Sequence, residues 1–223
     1  MTRAPARISD VVPLSPLQAG LFFHATAGDA DVYRYQLELQ IDGPLNVALL
    51  HRCAELLLER HTALRTAFLA EETDEPVGVV LDGLALPWRD VDLAGLAEAD
   101  QRAELRALAV GERTRPFPLD QPPLLRMMLV RLGDQRFQLL LTNHHILLDG
   151  WSVPVLLREL FALYASGGAP NALAPARPFR NYLAWLAEQD PAAARAAWRE
   201  SLAGLAGPTL IATPGTTVDL PVR

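Results

Sequence analysis

Two adjacent histidines stand in the segment TNHHILLDGWSVP (142–154), which follows an apolar run that predicts a strand. Asp149 and Gly150 come four and five residues after His145. Neighbouring side chains of an extended segment point to opposite faces, so His144 and His145 cannot both face one cavity without a local kink. The pattern therefore predicts one structural and one functional histidine, and periodicity alone does not say which is which.

Three kinds of chemistry, and one purely structural role, are compatible with this pair. A neutral imidazole can accept a proton from a nucleophile, or orient it, near neutral pH. A zinc site formed by His144, His145 and Asp149 is disfavoured, because adjacent histidines diverge and the other histidines lie on distant predicted elements. A triad of Ser152, His145 and Asp149 is disfavoured because all three fall within eight residues and GWSVP lacks the second glycine of a nucleophile elbow. The structural alternative is a buried histidine beside an Asp-Gly turn.

Asp149 is either a hydrogen-bonding partner of the functional histidine or a structural acid. A buried carboxylate without a partner is too costly to keep. Arg65 stands at the start of another predicted strand, after the segment HTAL. We therefore expect an ion pair between Asp149 and Arg65, and we expect Ser152 to cap the helix that follows the motif.

The composition excludes several other classes of site. The chain has 223 residues, of which 50% are hydrophobic, and all of its basic residues are arginine. Without lysine there is no Schiff-base or phosphate-loop lysine. The single cysteine, Cys53, lies on the apolar stripe of a predicted helix, which indicates core packing. A net charge of −6 argues against a nucleic-acid partner, and the absence of a long apolar segment predicts a cytoplasmic protein without a membrane partner.

Helices and strands alternate along the sequence, as in α/β proteins. The segment SPLQ has the pattern of a capping box, with Gln18 three residues after Ser15. Strong turn signals separate the elements, and the final segment 207–223 is predicted to be irregular. Helices are predicted from about residue 16, over 45–60 and 98–114, from 152, and near 182–189 and 192–202; strands are predicted over 33–42, 65–69, 124–132 and 136–142.

Several segments together resemble one family. NHHILLDGWS is similar to the HHxxxDG signature of the condensation domains of nonribosomal peptide synthetases, which belong to the chloramphenicol-acetyltransferase-like superfamily. SPLQAGLFFH (15–24), RHTALRTAF (60–68) and FRNYLAW (179–185) resemble further motifs of these domains, and RPFPLDQPPLLRMMLVRL (115–132) resembles the run before the histidine strand. The motifs occur in the family's order.

The resemblance implies an α/β fold: a chloramphenicol-acetyltransferase-like lobe with a mixed β-sheet packed against helices in a two-layer sandwich. Residues 1–170 are then the core of the N-terminal lobe, and residues 171–223 are a linker and helices that lead toward a C-terminal lobe absent from this sequence. In the family the active site lies in a tunnel between the two lobes. We therefore expect an open half-site, inactive in isolation.

The resemblance also implies roles and partners. His145 would be catalytic, with Gly150 letting backbone approach the reacting centre, and His144, Asp149 and Arg65 would be structural. The reaction would form an amide between a carrier-bound aminoacyl or peptidyl thioester and a carrier-bound aminoacyl acceptor, within a larger assembly of synthetase modules. No metal and no directly bound cofactor are implied, since phosphopantetheine arms arrive on the carrier proteins.

Other branches of the superfamily give different expectations. Cyclisation domains carry aspartates in place of the histidine pair, and epimerisation domains usually depart from DGWS after the aspartate. Two alternatives stay open: a noncatalytic scaffold that recruits carrier proteins or partner enzymes, and an HHxxxDG O-acyltransferase with an alcohol as its nucleophile.

Overall fold

The structure is a computed structural model that describes residues 6–27, 32–70 and 75–207. The predicted irregular segment 207–223 lies outside these residues except for Gly207. Short 3₁₀ turns occupy Thr62–Arg65 and Pro170–Ala172. In chain order the strands and helices are β1 (Arg7–Pro13), α1 (Pro16–Ala27), β2 (Arg34–Asp42), α2 (Val47–Arg60), β3 (Thr66–Leu69), β4 (Val77–Asp82), β5 (Trp88–Asp92), α3 (Glu98–Thr114), β6 (Leu125–Gly133), β7 (Arg136–His144), α4 (Ser152–Ala165), α5 (Phe179–Ala187) and α6 (Pro191–Ser201).

The larger sheet has four strands in the order β2-β7-β6-β5. β7 pairs antiparallel with both β2 and β6, while β5 pairs parallel with β6. The α/β class and the mixed sheet packed against helices are thus confirmed. Because β7 is an inner strand, the backbone of its last residue, His144, is paired on both sides.

Helices α2 and α4 cover one face of this sheet and form the main core with it. Cys53 is fully buried there, as its helical stripe predicts. The α2 helix begins after Asn46, whose Oδ1 accepts the Leu49 N–H at 3.0 Å. On the opposite face α3 packs against Met128, Val130 and Leu140. The sheet is therefore held rigidly from both sides.

A second, three-stranded antiparallel sheet has the order β1-β4-β3. The sequence predicted only the β3 region of this sheet. β1 is mostly exposed and β4 has three consecutive buried residues, so neither strand shows a clear alternation of apolar and polar residues. Strand β4, which was not predicted, carries Asp82, the partner of Arg65.

The chain divides into two compact units, with the boundary between Leu186 and Ala187. In the smaller unit, α6 begins after Asp190, whose carboxylate accepts the Ala192 N–H at 2.7 Å. The division after residue 170 into lobe core and linker stays a prediction. Across the described ranges, no helix is long and apolar enough to cross a bilayer.

Candidate active site

His144 is the last residue of β7 and is fully buried. Its backbone N–H donates to the carbonyl of Leu124 at 3.0 Å. Its Nδ1 accepts the N–H of Ile146 at 3.1 Å, so this nitrogen carries no proton. The side chain thereby supports the backbone of the turn that follows the strand.

His145 is the first residue beyond β7, and its side chain is only partly buried. Its backbone N–H still continues the sheet by donating to the Tyr33 carbonyl at 2.8 Å. The imidazole Nδ1 lies 3.1 Å from the carbonyl oxygen of Leu148. Because a carbonyl can only accept, Nδ1 must carry a proton, and in the neutral imidazole Nε2 then presents its lone pair. The two histidines therefore differ in burial and in tautomer.

The loop between β7 and α4 is also tied to α1. Ser15 and Gln18 form the predicted capping box: the Gln18 N–H donates to Ser15 Oγ at 3.2 Å, and the Ser15 N–H donates to Gln18 Oε1 at 3.1 Å. The Gln18 amide nitrogen also donates to the carbonyl of Ile146 at 3.1 Å. Sequence reasoning identified Gln18 only as a helix cap and missed this link to the histidine loop.

Asp149 caps the N-terminus of α4. Its Oδ1 accepts three hydrogen bonds: from the backbone N–H of Trp151 (3.2 Å), the backbone N–H of Ser152 (2.8 Å) and Ser152 Oγ (2.6 Å). The hydrogen bond from the Ser152 hydroxyl, with those from the two N–H groups, holds the pKa of the Asp149 carboxyl below its usual value despite some loss of hydration. The expectation that Ser152 is the cap is therefore wrong, since Ser152 is the first residue of the helix and Asp149 supplies the acceptor.

The expected ion pair between Asp149 and Arg65 is also wrong. The Arg65 guanidinium donates to the carboxylate of Asp82 and, at 2.7 Å, to the carbonyl of Leu81. The same guanidinium holds the pKa of the Asp82 carboxyl below its usual value. Arg65 is indeed buried, but Asp149 is exposed and needs no cationic partner. The prediction failed because it assumed a buried Asp149 and because β4, which carries Asp82, was not predicted.

Gly150 follows the cap in an exposed position. A Cβ built on this residue would meet no atom within 4 Å, and its backbone is outside the left-handed region. Folding of the described residues therefore does not demand glycine here. The role of Gly150 in letting backbone approach a reacting centre stays a prediction.

A groove of about 430 Å³ opens beside the loop. Leu147, Asp149 and Trp151 line one side, and Phe179 from the FRNYLAW segment lines another. Trp151 is 86% exposed, so it adds apolar surface to this face rather than to the core. His145 does not line the groove, so the groove and the free Nε2 are separate features of the loop.

The described part of the chain contains no cluster of three or more His, Cys, Asp or Glu side chains able to hold a metal ion. His144 and His145 point to different surroundings, and Oδ1 of Asp149 is engaged by the helix N-terminus. The arrangement offers one acceptor nitrogen, Nε2 of His145, which suits proton transfer or hydrogen bonding to a nucleophile.

Solved structures of condensation domains share the fold of this chain. The first condensation domain of the calcium-dependent antibiotic synthetase, in complex with substrate analogue 2a, superposes with a TM-score of 0.71 at 26% identity, covering 87% of this chain and 48% of that one. The starter condensation domain of rhizomide synthetase has the same fold, with a TM-score of 0.71 at 21% identity over 91% of this chain and 51% of that one. The chloramphenicol-acetyltransferase-like fold is thereby confirmed, over about half the length of these structures.

Curated relatives match over most of this chain but over a small part of their own length. A linear gramicidin synthase of Brevibacillus parabrevis is 38% identical over 200 residues, which are 88% of this chain and 4% of that protein. Surfactin synthase subunit 3 of Bacillus subtilis (strain 168) is 30% identical over 209 residues, 92% of this chain and 16% of that protein. The family model for the condensation domain matches residues 8–218. With the motifs, the fold and these matches in agreement, the chain belongs to the condensation domain family.

Proposed function

We propose that this chain supplies the histidine half of an active site that forms an amide bond. The donor would be an aminoacyl or peptidyl thioester on one carrier protein, and the acceptor an aminoacyl group on another. The observation that carries the proposal is the His145 imidazole, whose Nδ1 proton is held by the Leu148 carbonyl so that Nε2 is an acceptor. Membership of the condensation domain family supports the choice of substrates.

In the proposed reaction the acceptor amine attacks the thioester carbonyl carbon. The C–N bond forms, the C–S bond breaks, and the sulfur leaves as the thiol of the donor's phosphopantetheine arm. Nε2 of His145 accepts the proton that the amine loses and returns it to the departing sulfur. A base positioned in this way contributes on the order of a hundredfold or more to the rate.

The remaining motif residues act on the shape of the loop. His144 holds the backbone at Ile146, and Asp149 holds the first turn of α4, so both fix the carbonyl of Leu148 from either side. Gly150 would leave room for substrate near this backbone. Arg65 would stabilise the neighbouring sheet through Asp82 and has no direct part in the chemistry.

The proposed partners are the donor and acceptor carrier proteins, the second lobe of the domain and adjacent synthetase modules. Phosphopantetheine would be brought by the carriers rather than bound as a resident cofactor. Residues 171–223 would connect the lobe core to the second lobe. We also propose that the chain acts in the cytoplasm, together with the modules that carry its substrates.

The test is amide formation between two aminoacyl-loaded carrier proteins, followed by intact-protein mass spectrometry. The chain is assayed alone, with a separately supplied C-terminal half, and as a chimera replacing the matching half of a relative's condensation domain. Product in the two-lobe samples and none with the chain alone is the expected result. Turnover by the chain alone would overturn the half-site, and ester formation with an alcohol acceptor would favour an O-acyltransferase. Folded two-lobe samples that bind carriers without making product would favour a scaffold.

A further inference from the structure

Tyr35 is a residue of β2 that none of the family motifs includes, and its ring contacts His145. The two ring centroids are 5.6 Å apart with an interplanar angle of 56°. This separation lies in the range of favourable aromatic pairs. Tyr33, two residues earlier, instead has its ring 6.4 Å from that of His144. Each histidine of the motif thus has its own tyrosine neighbour from the adjacent chain segment.

The Leu148 carbonyl alone leaves the His145 ring incompletely fixed. The hydrogen bond sets the position of Nδ1 and the tautomer, but the torsion between Cβ and the ring of a histidine has a broad energy profile. His145 lies beyond the last residue of β7, so regular sheet geometry no longer constrains its side chain. A second contact is needed to hold the ring plane and with it the direction of Nε2.

Tyr35 is well placed to provide that contact. It lies within β2, where it pairs in register with Asn143 of β7. Its ring is partly buried against the main core that α2 and α4 form with the sheet. A side chain fixed by strand pairing and by packing is a more precise support than one on a loop.

The Tyr35 hydroxyl makes no hydrogen bond within the part of the chain that the structure describes. Within the described residues the Tyr35 side chain therefore contributes through its ring, which packs against the core, and not through its oxygen. This separates the two possible contributions of the residue, because phenylalanine keeps the ring and an aliphatic residue removes it.

We propose that Tyr35 is a positioning residue for His145: its ring, together with the Leu148 carbonyl, holds the imidazole so that the Nε2 lone pair keeps one direction. The inference rests on the proposed function where it concerns rate, and on the geometry alone where it concerns the state of the ring. When the Tyr35 ring is removed, the imidazole of His145 can break its hydrogen bond to the Leu148 carbonyl and exchange between tautomers.

The first test is nitrogen-15 NMR of the histidine rings in the 223-residue chain, with the His145 signals assigned by their loss in His145→Gln. We expect protonated Nδ1 and unprotonated Nε2 in the neutral imidazole of the unmodified chain and of Tyr35→Phe. In Tyr35→Ile, which keeps a residue suited to a strand, both nitrogens should move toward averaged shifts. Tyr35→Val is the second aliphatic variant if Tyr35→Ile does not fold.

The matched control is Leu37→Ala, on the same strand and packed against the same core. It should lower the melting temperature and leave the His145 nitrogen shifts unchanged. If Tyr35→Ile and Tyr35→Val keep the shifts of the unmodified chain, the positioning role is wrong. If Leu37→Ala moves them equally, the effect is general loosening, and the proposal is also wrong.

The second test measures condensation in the two-lobe chimera. Tyr35→Ile should lower kcat by about ten- to a hundredfold with little change in KM, because a misaimed base affects the transition state more than binding. Tyr35→Phe should keep the full rate. An undiminished kcat in Tyr35→Ile contradicts the proposal. A further outcome is that the chimera makes no amide while the His145 nitrogen shifts of the 223-residue chain still respond to Tyr35→Ile. That pair of results would refute the proposed function and support the positioning role.

Discussion

The carbonyl oxygen of Leu148, three residues further along the same loop, accepts a hydrogen bond from Nδ1 of His145 at 3.1 Å. This contact leaves Nε2 as the only basic nitrogen of the ring. The tautomer therefore depends on the path of the backbone between β7 and α4, and on the Tyr35 ring that we propose holds the imidazole against it. In the proposed reaction, residues that shape this path would influence the chemistry without touching a substrate.

Asp149 is the first such residue. Replacing it by alanine removes the acceptor for two backbone N–H groups and the Ser152 hydroxyl, so the free energy of unfolding should fall by about 1 kcal/mol. The Asp149→Asn variant keeps an oxygen acceptor and should lose much less. Urea unfolding of the two variants measures the difference. Equal losses in both variants would show that the charge of Asp149, and not its role as a cap, is what stabilises the loop.

Arg65 should be energetically coupled to Asp82 and independent of Asp149. In a double-mutant cycle, Arg65→Met and Asp82→Asn should be less than additive, because each removes the same ion pair. Arg65→Met and Asp149→Ala should be additive within error, since they share no contact. Thermal or chemical unfolding of the single and double variants gives both coupling energies. A substantial coupling energy between Arg65 and Asp149 would show that the two side chains interact, and would contradict the contacts of the structure.

Glu159 of α4 joins the end of α2 through Arg60 and His61, at 2.9 and 2.8 Å. Burial raises the pKa of the Glu159 carboxyl, but hydrogen bonds from Arg60 and His61 outweigh it, so the pKa lies below its usual value. A lowered folded-state pKa contributes stability above the unfolded value of about 4.3, and this is lost as the pH falls through the folded value. Glu159→Gln should cost about 1 kcal/mol at pH 7 and nothing at the acid end.

The pH dependence of unfolding of Glu159→Gln and of the unmodified chain checks this. Glu38→Gln is the matched control, because Glu38 is exposed on β2 and forms no ion pair with the described residues. Its stability difference should stay near zero at every pH. A Glu159→Gln deficit that persists below about pH 3 would mean that packing, and not the charge, explains the loss.

Gly150 should be dispensable for folding and needed for turnover. The Cβ added in Gly150→Ala would meet no atom within 4 Å, so the free energy of unfolding should be unchanged. If substrate approaches this backbone, the condensation rate of the two-lobe chimera should fall. Gly168→Ala provides the contrast: Gly168 has φ of +82° and its Cβ would lie 3.4 Å from Leu49 Cδ1, so stability should fall by about 1–2 kcal/mol. A full rate in Gly150→Ala would remove Gly150 from the site.

Much of the fold could be predicted from periodicity and turn residues. The period-two pattern of β2 and the helical stripe of α2 are strong, and both elements lie where predicted. Strands β1 and β4 of the three-stranded sheet were missed because neither shows a clear alternation of apolar and polar residues. The parallel pairing of β5 with β6 was also beyond reach, since it joins strands separated by the whole of α3.

For the site, alternation correctly predicted that His144 and His145 diverge. It could not tell which was buried, because that depends on where β7 ends and on the turn at Ile146. The partner of Arg65 was wrong because ion pairing depends on tertiary contacts that local sequence does not encode. The contact of Tyr35 with His145 was missed for the same reason, since the tyrosine reads simply as one of several apolar residues on β2.

The most direct test of the central claim is the single-turnover rate of amide formation by the two-lobe chimera carrying His145→Ala, with the chimera in excess over the loaded carriers. Because His145 is only partly buried at a loop position, the melting temperature should change little, while the rate should fall on the order of a hundredfold or more. A His145→Ala chimera that forms amide at the full rate would contradict the assignment of Nε2 as the proton acceptor.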